Sequence, residues 1–207
     1  MKTSNKILFS LFILCILWIF AAFFSAKSKV IAAIIDNPDY SEKKISKNIS
    51  TIEIQDFSHI VLKGEGTLRI KQADNQSLSA RDLKNLKKTI SNDTLYITTK
   101  KEKYTLTVTK LKTIQVEEEA FVYIQDFTSD TIEIYGSDES RVNINKLDFI
   151  LLKITLNDEA KVHLTDLRGN NAVAHFNVLN HSELVIGKMK NTELILKKDL
   201  NAKVKSY

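Results

Sequence analysis

The sequence is poor in the residues that punctuate and cross-link a chain. Among 207 residues there is one cysteine, one proline and five glycines. The lone Cys15 excludes an intrachain disulfide and a cysteine-based metal site. Catalytic signatures are also missing. There is no nucleophile elbow, no phosphate-binding loop and no zinc-helix motif, so the chain is read as non-enzymatic. A hydrophobic content of 43% with 27% charged residues is normal for a folded protein and argues against disorder. The net charge of +5 implies weak attraction to acidic surfaces, and nothing points to nucleic acid as a partner.

One long apolar run is present. Ile7 to Phe24 reads ILFSLFILCILWIFAAFF, with Ser10 its one polar residue. At 1.5 Å per residue a helix of about 20 residues spans the hydrocarbon layer of a bilayer. A cleaved signal peptide would have a shorter apolar region and small residues before the cut, but a cut after Ala26 would follow Phe24 at −3. A lipoprotein signal would need a small residue before Cys15, where Leu14 stands. Residues 1–26 are therefore expected to be an uncleaved transmembrane anchor. Lys2, Lys6 and the terminal amine favour a cytoplasmic N-terminus, with the remaining chain outside a cell membrane crossed once. Residues 27–50, with Pro38, read as a linker.

The rest of the chain repeats. A small residue recurs at Ala120, Ser140, Ala160, Ser182 and Ala202, at spacings of 20, 20, 22 and 20. Two residues on stand Val122, Val142, Val162, Leu184 and Val204; four on stand Ile124, Ile144, Leu164 and Ile186. Six residues before stand Ile114, Ile134, Ile154, Phe176 and Leu196. Alternation by two places these columns on one face of a strand, and the fixed period is that of a solenoid. Residues 51–207 are thus expected to form an all-β, right-handed β-solenoid (a single-stranded β-helix) with coils of about 20 residues. A sandwich of short strands is the competing architecture. An earlier copy lies at Gly66, with Leu68 and Ile70 in register. Between the copies, residues 74–110 read as an insertion. Ser79–Lys88 suggests a short helix, and Thr94–Thr98 with Tyr104–Thr109 suggests a hairpin. The two extra residues of the longer coil fall near Arg168–Asn171.

The segments FSHIVLKGEGTLRI (Phe57–Ile70), RDLKNLKKTISNDTLYI (Arg81–Ile97) and LKTIQV (Leu111–Val116), followed by the repeats, carry a resemblance. In this order they are similar to the putative autotransporter adhesin head GIN domain family of bacterial envelope β-solenoids, over about residues 52–205. The sequence departs from the family in lacking a Gly-Ile-Asn triplet. Its corners are Glu117–Glu119, Ser137–Glu139 and Asn157–Glu159 instead of Gly/Ser-rich turns. The resemblance implies an envelope location and a non-catalytic role in binding an envelope protein or glycan, or in adhesion. A self-associating scaffold, with the chain as homo-oligomer, is the alternative.

Four groups of residues are candidate sites. Glu118, Asp138 and Asp158 share one column, and Glu119, Glu139 and Glu159 the next. Such an acidic corner is a solvated turn, a site for a cation such as Ca²⁺, or a contact for a basic partner. Charge alternates along the chain: positive over Arg81–Lys112, negative over Thr113–Lys161, positive again from Gly187. Outward Phe121 and Tyr123, with Val185 and Ile195, are apolar contacts or are covered by the inserted hairpin. His163, His175 and His181 lie at different columns and do not converge as metal ligands. A polysaccharide-active enzyme would have to use Asp126, Lys146 and Asp166, which share one column.

Overall fold

The alternation of apolar and polar residues becomes a stack of parallel strands. The computed structural model describes residues 49–83 and 86–207, and residues 49–207 form one compact unit. It contains thirteen strands: β1 (Ser50–Glu53), β2 (His59–Gly64), β3 (Thr67–Gln72), β4 (Ser77–Ala80), β5 (Lys87–Ser91), β6 (Thr94–Thr99) and β7 (Lys103–Val108), then β8 (Thr113–Val116), β9 (Phe121–Gly136), β10 (Arg141–Leu156), β11 (Lys161–Val178), β12 (Glu183–Lys198) and β13 (Lys203–Ser206). Among the described residues no helix is long and apolar enough to cross a membrane. The expected span Ile7–Phe24 lies outside them.

The repeat is a right-handed β-solenoid with coils of about 20 residues. Strands β9 to β13 stack in parallel, with Val122 beside Val142, Val142 beside Val162, Val162 beside Leu184 and Leu184 beside Val204. The two extra residues of the longer coil are absorbed where β10 passes from Asp148 to Leu151 while β11 passes from Arg168 to Val173. The columns of small, β-branched and leucine residues point inward and are fully buried, as at Ala120, Ile134, Ile154, Ala160, Leu164 and Leu184. Each valine, isoleucine or leucine among them contributes about 1.5–3 kcal/mol on burial, which offsets the ordering of a chain with few local contacts.

Residues 74–110 do not fold as the sequence suggests. Ser77–Ala80 and Lys87–Ser91 are strands where a helix over 79–88 is expected. Strands β6 and β7 do not pair with each other. β6 runs parallel to β2, and β7 parallel to β3, so together they form an additional coil. The coil β2–β3 is sandwiched between this one and the coil at Ala120, because β2 also pairs β8 and β3 also pairs β9. The stack is therefore uninterrupted in space although the chain leaves it and returns. A strand alternates in the same way whether its neighbour is antiparallel or parallel, so periodicity alone does not fix the pairing.

Two glycines make the close approach between these coils possible. Gly64 has φ 102°, and a Cβ there would lie 2.1 Å from the Thr99 carbonyl oxygen. A Cβ on Gly66 would meet Thr99 Oγ1 at 2.1 Å, the hydroxyl that accepts the Gly66 N–H at 2.8 Å. Beyond this coil the parallel stack ends. β4 runs antiparallel to β7, β1 antiparallel to β4, and β5 antiparallel to β6. Leu78 and Ala80 close the core at this end, with Leu83, Leu86 and Ile90 packed against it. A change of direction of this kind caps a solenoid against further stacking.

Candidate functional site

The corners come together as expected. Glu118, Glu119, Asp138, Glu139, Asp158 and Glu159, with Asn180 and His181 one coil further, line one shallow groove along the stack. His181 stands in the column of Glu119, Glu139 and Glu159. The backbone turns sharply at each corner. Glu118, Asp138, Glu139, Asp158, Glu159, Asn180 and His181 all have positive φ, between 45° and 68°. Aspartate, asparagine and histidine are enriched in this left-handed conformation, whereas glutamate adopts it at a cost. Coils are tied along the corner by main-chain bonds, from Glu139 N–H to the Asp158 carbonyl and from Glu159 N–H to the Asn180 carbonyl, each 3.1 Å. Asn180 Nδ2 donates to Asn157 Oδ1 at 2.6 Å, and Ser137 Oγ to Asp138 Oδ2 at 2.9 Å. Among the described residues no group of three His, Cys, Asp or Glu is placed to hold a metal ion. The corner carboxylates are exposed.

The last corner is built differently. Asp199 Oδ2 accepts the N–H of Asn180 at 2.7 Å, and Oδ1 accepts those of Asn201 and Ala202 at 3.0 and 2.8 Å. These backbone donors hold its carboxyl below the usual carboxylate range.

The residues considered for catalysis are divided. Asp126 pairs with Lys146 at 2.9 Å. Asp166 instead takes Arg168, two residues on, at 2.6 Å. The lysine and the arginine depress the two carboxylates they contact, and both pairs sit at the protein surface. Histidines 163, 175 and 181 remain dispersed. His163 contacts the Tyr207 hydroxyl, and the two rings meet edge to face at 6.0 Å.

Phe121, Tyr123 and Val185 lie among basic residues that the sequence does not group with them, on the outer face of the sheet formed by β7, β3 and the first halves of β9 to β12, ending on β13. Register places Thr67, Phe121, Arg141, Lys161, Glu183 and Lys203 in one outward row. Arg69, Tyr123, Asn143, His163, Val185 and Lys205 form the next. Lys103 extends the first row beyond Thr67, and Lys71 stands two residues past Arg69. One acid interrupts these rows, Glu183, and Lys205 neutralises it at 2.5 Å, holding its carboxyl low. The Arg69 guanidinium lies 5.3 Å over the Tyr123 ring, a cation–π arrangement. Phe121 and Tyr123 are half-buried between neighbouring rows and are not covered by residues 74–110. Ile195, grouped with them from sequence, lies on another face beside His175. The signal was available in the positions one and three residues after each small residue.

On the second sheet face acids and bases are mixed, Glu133 with Lys153 and Glu193 with Lys197. Lys153 Nζ and Tyr135 OH both bond Glu133, each at 2.8 Å, which lowers the glutamate and raises both partners. Lys63 is raised by its contact with Glu117 at 2.5 Å, which ties β2 to the corner.

No family profile matches the sequence, and no curated protein aligns with it significantly. Solved structures do share its shape. The crystal structure of a "putative adhesin" from Bacteroides fragilis superposes with a TM-score of 0.54 at 16% identity, covering 78% of this chain and 98% of that one. A "putative adhesin" from Parabacteroides merdae gives 0.46 at 12% identity, covering 78% and 97%. At 16% identity the first of these likenesses establishes a common fold.

Proposed function

We propose that this chain is a non-catalytic module of the bacterial cell envelope that binds an acidic glycan through the basic sheet face. In this reading Ile7–Phe24 anchors it in the cell membrane, and the solenoid is presented on the extracytoplasmic side. The observation that carries the proposal is the segregation of charge. Arg69, Arg141, Lys161, Lys203 and Lys205 lie on one face with Tyr123 among them and Glu183, paired with Lys205, as the one acid in these rows, while six carboxylates line the corner groove. A flat, rigid, basic surface suits a long anionic polymer, which gains from many weak contacts at once. An aromatic ring adds a platform for a sugar ring. The fold shared with the "putative adhesin" of B. fragilis and the sequence resemblance to the head GIN domain family support an envelope binding role.

The test is retention of the purified full chain, in detergent micelles, on immobilised polysaccharides. Acidic polymers such as polygalacturonate are expected to retain it and a neutral glucan is not. Equal retention on both, or on neither, would refute the proposal.

A further inference from the structure

The two ends of the solenoid are finished differently. At the β6–β7 end, antiparallel strands close the core. At the other end, β12 pairs β11 along its length but pairs β13 through Glu183–Ile186 alone. From residue 187 to 198 the second edge of β12 has no strand partner among the described residues. The core is open there as well. Leu194 and Leu196 continue inward columns, yet they are 43% and 40% exposed, against 1% for Ile154 and 2% for Phe176 in the coils below. Ile195 points outward and is 44% exposed. A free edge beside an open apolar core is a template for another strand.

The sequence of that edge selects what pairs with it. Residues 193–197 read Glu-Leu-Ile-Leu-Lys, which is complementary to its own reverse. In an antiparallel self-pair centred on Ile195, each Glu193 faces Lys197 of the other copy and each Leu194 faces Leu196. Paired positions in an antiparallel ladder share a face, so the leucines join the two cores and Glu193 meets Lys197 outside, while Lys198, in the inward column of Val178, faces Thr192 at the end of the pair. From residue 190 to 200 this register opposes no two like charges. Its neighbours are excluded. Moving the axis to Leu194 opposes Lys190 with Lys198, and moving it to Leu196 opposes Glu193 with Asp199. Centring on Glu193 or Lys197 sets a charge against itself, and a half-step turns the leucines outward.

We infer that a second copy of this chain pairs antiparallel with the open edge of β12, about a two-fold axis at Ile195. The contact is isologous, so it closes as a dimer and leaves the capped ends free. It also places two basic faces in one assembly, which would strengthen binding to a polymer, but it does not depend on that binding.

The experiment uses the full chain in detergent micelles with Cys15→Ser, so that any introduced cysteine is the single thiol. Ile195→Cys places one cysteine from each copy at the axis, within reach of a disulfide. Under mild oxidation it is expected to link most of the chains as dimers. Ile150→Cys, at a residue 57% exposed in the middle of the stack, is the control and is expected to remain monomeric. In the Ile195→Cys background, Glu193→Lys or Lys197→Glu alone is expected to cut linking at least tenfold. The double reversal is expected to restore it, as is mixing the two single variants. Linking of Ile195→Cys no greater than that of Ile150→Cys would overturn the inference. So would linking that ignores the charge reversals. Linked or not, the same proteins report on polysaccharide retention, so failure of the dimer and failure of the binding proposal are separate outcomes.

Discussion

Ser182 stands one coil above Ala160 in the same inward column, and its hydroxyl is sealed in the core without a hydrogen-bond partner. Ser140, one coil below Ala160, is in the same condition. Alanine fills this column at 120, 160 and 202, so the space suits a methyl group. Ser140→Ala and Ser182→Ala should each raise stability by about 1 kcal/mol, because a buried hydroxyl loses its hydration and gains nothing. Urea unfolding followed by circular dichroism will read this as a higher midpoint with an unchanged slope.

The corners carry a second reserve of stability. Glu139 and Glu159 hold φ of 62° and 68°, where glycine is at ease and glutamate is not. Glu139→Gly and Glu159→Gly should each stabilise the fold by about 0.5–1 kcal/mol, the released strain exceeding the added freedom of the unfolded chain. Each also removes one charge from the acidic groove. A fall in the thermal midpoint would show that these carboxylates are needed where they stand.

Gly64 behaves in the opposite way. A methyl group there meets a main-chain carbonyl at 2.1 Å in a conformation that L-residues avoid. Gly64→Ala should therefore cost at least about 2 kcal/mol by forcing apart the two coils nearest the cap. The loss is expected in hydrogen exchange of β2 and β6 before that of β10 and β11.

Acid should loosen the C-terminal coil. The Asp199 carboxyl is held low by three backbone N–H groups. A group whose folded value is depressed contributes stability above its unfolded value, about 3.9 for aspartate, and that contribution is lost as pH falls through the folded value. Asp126, Glu133, Asp166 and Glu183 shift in the same direction and add to the slope. Stability should be level near neutral pH and drop below about pH 4. Asp199→Asn should be less stable at pH 7 and show a shallower acid slope, measured by urea midpoints across pH.

The repeat was legible because it rests on inward columns, and inward columns are constrained one residue at a time. Ala120, Val122 and Ile124 return with each coil, and each return is visible in the chain. The pairing of β6 and β7 was not legible, because alternation at Leu95, Ile97, Tyr104 and Leu106 describes a hairpin and a coil equally well. Ser79–Lys88 contains good helix formers, yet its first residues are drawn into the sheet, Ala80 beside Tyr104 and the preceding Leu78 beside Leu106, where burial outweighs a small local preference. The acidic corner could be read as two columns, but its cause could not. The left-handed backbone accounts for Asp138, Asp158 and Asn180, which tolerate it, and not for the glutamates beside them. The basic face was missed because its rows collect one residue from each of several coils, including Arg69 from a coil distant in sequence.

The central claim is that the basic face binds. It is tested most directly by isotherms of the full chain with polygalacturonate over a range of salt concentrations. Arg141→Glu/Lys161→Glu is compared with Glu118→Gln/Glu139→Gln at the corner. The account predicts that affinity falls as salt rises, that the face variant loses binding at least tenfold, and that the corner variant binds as well as the parent or better. Binding by the face variant equal to that of the parent would contradict it.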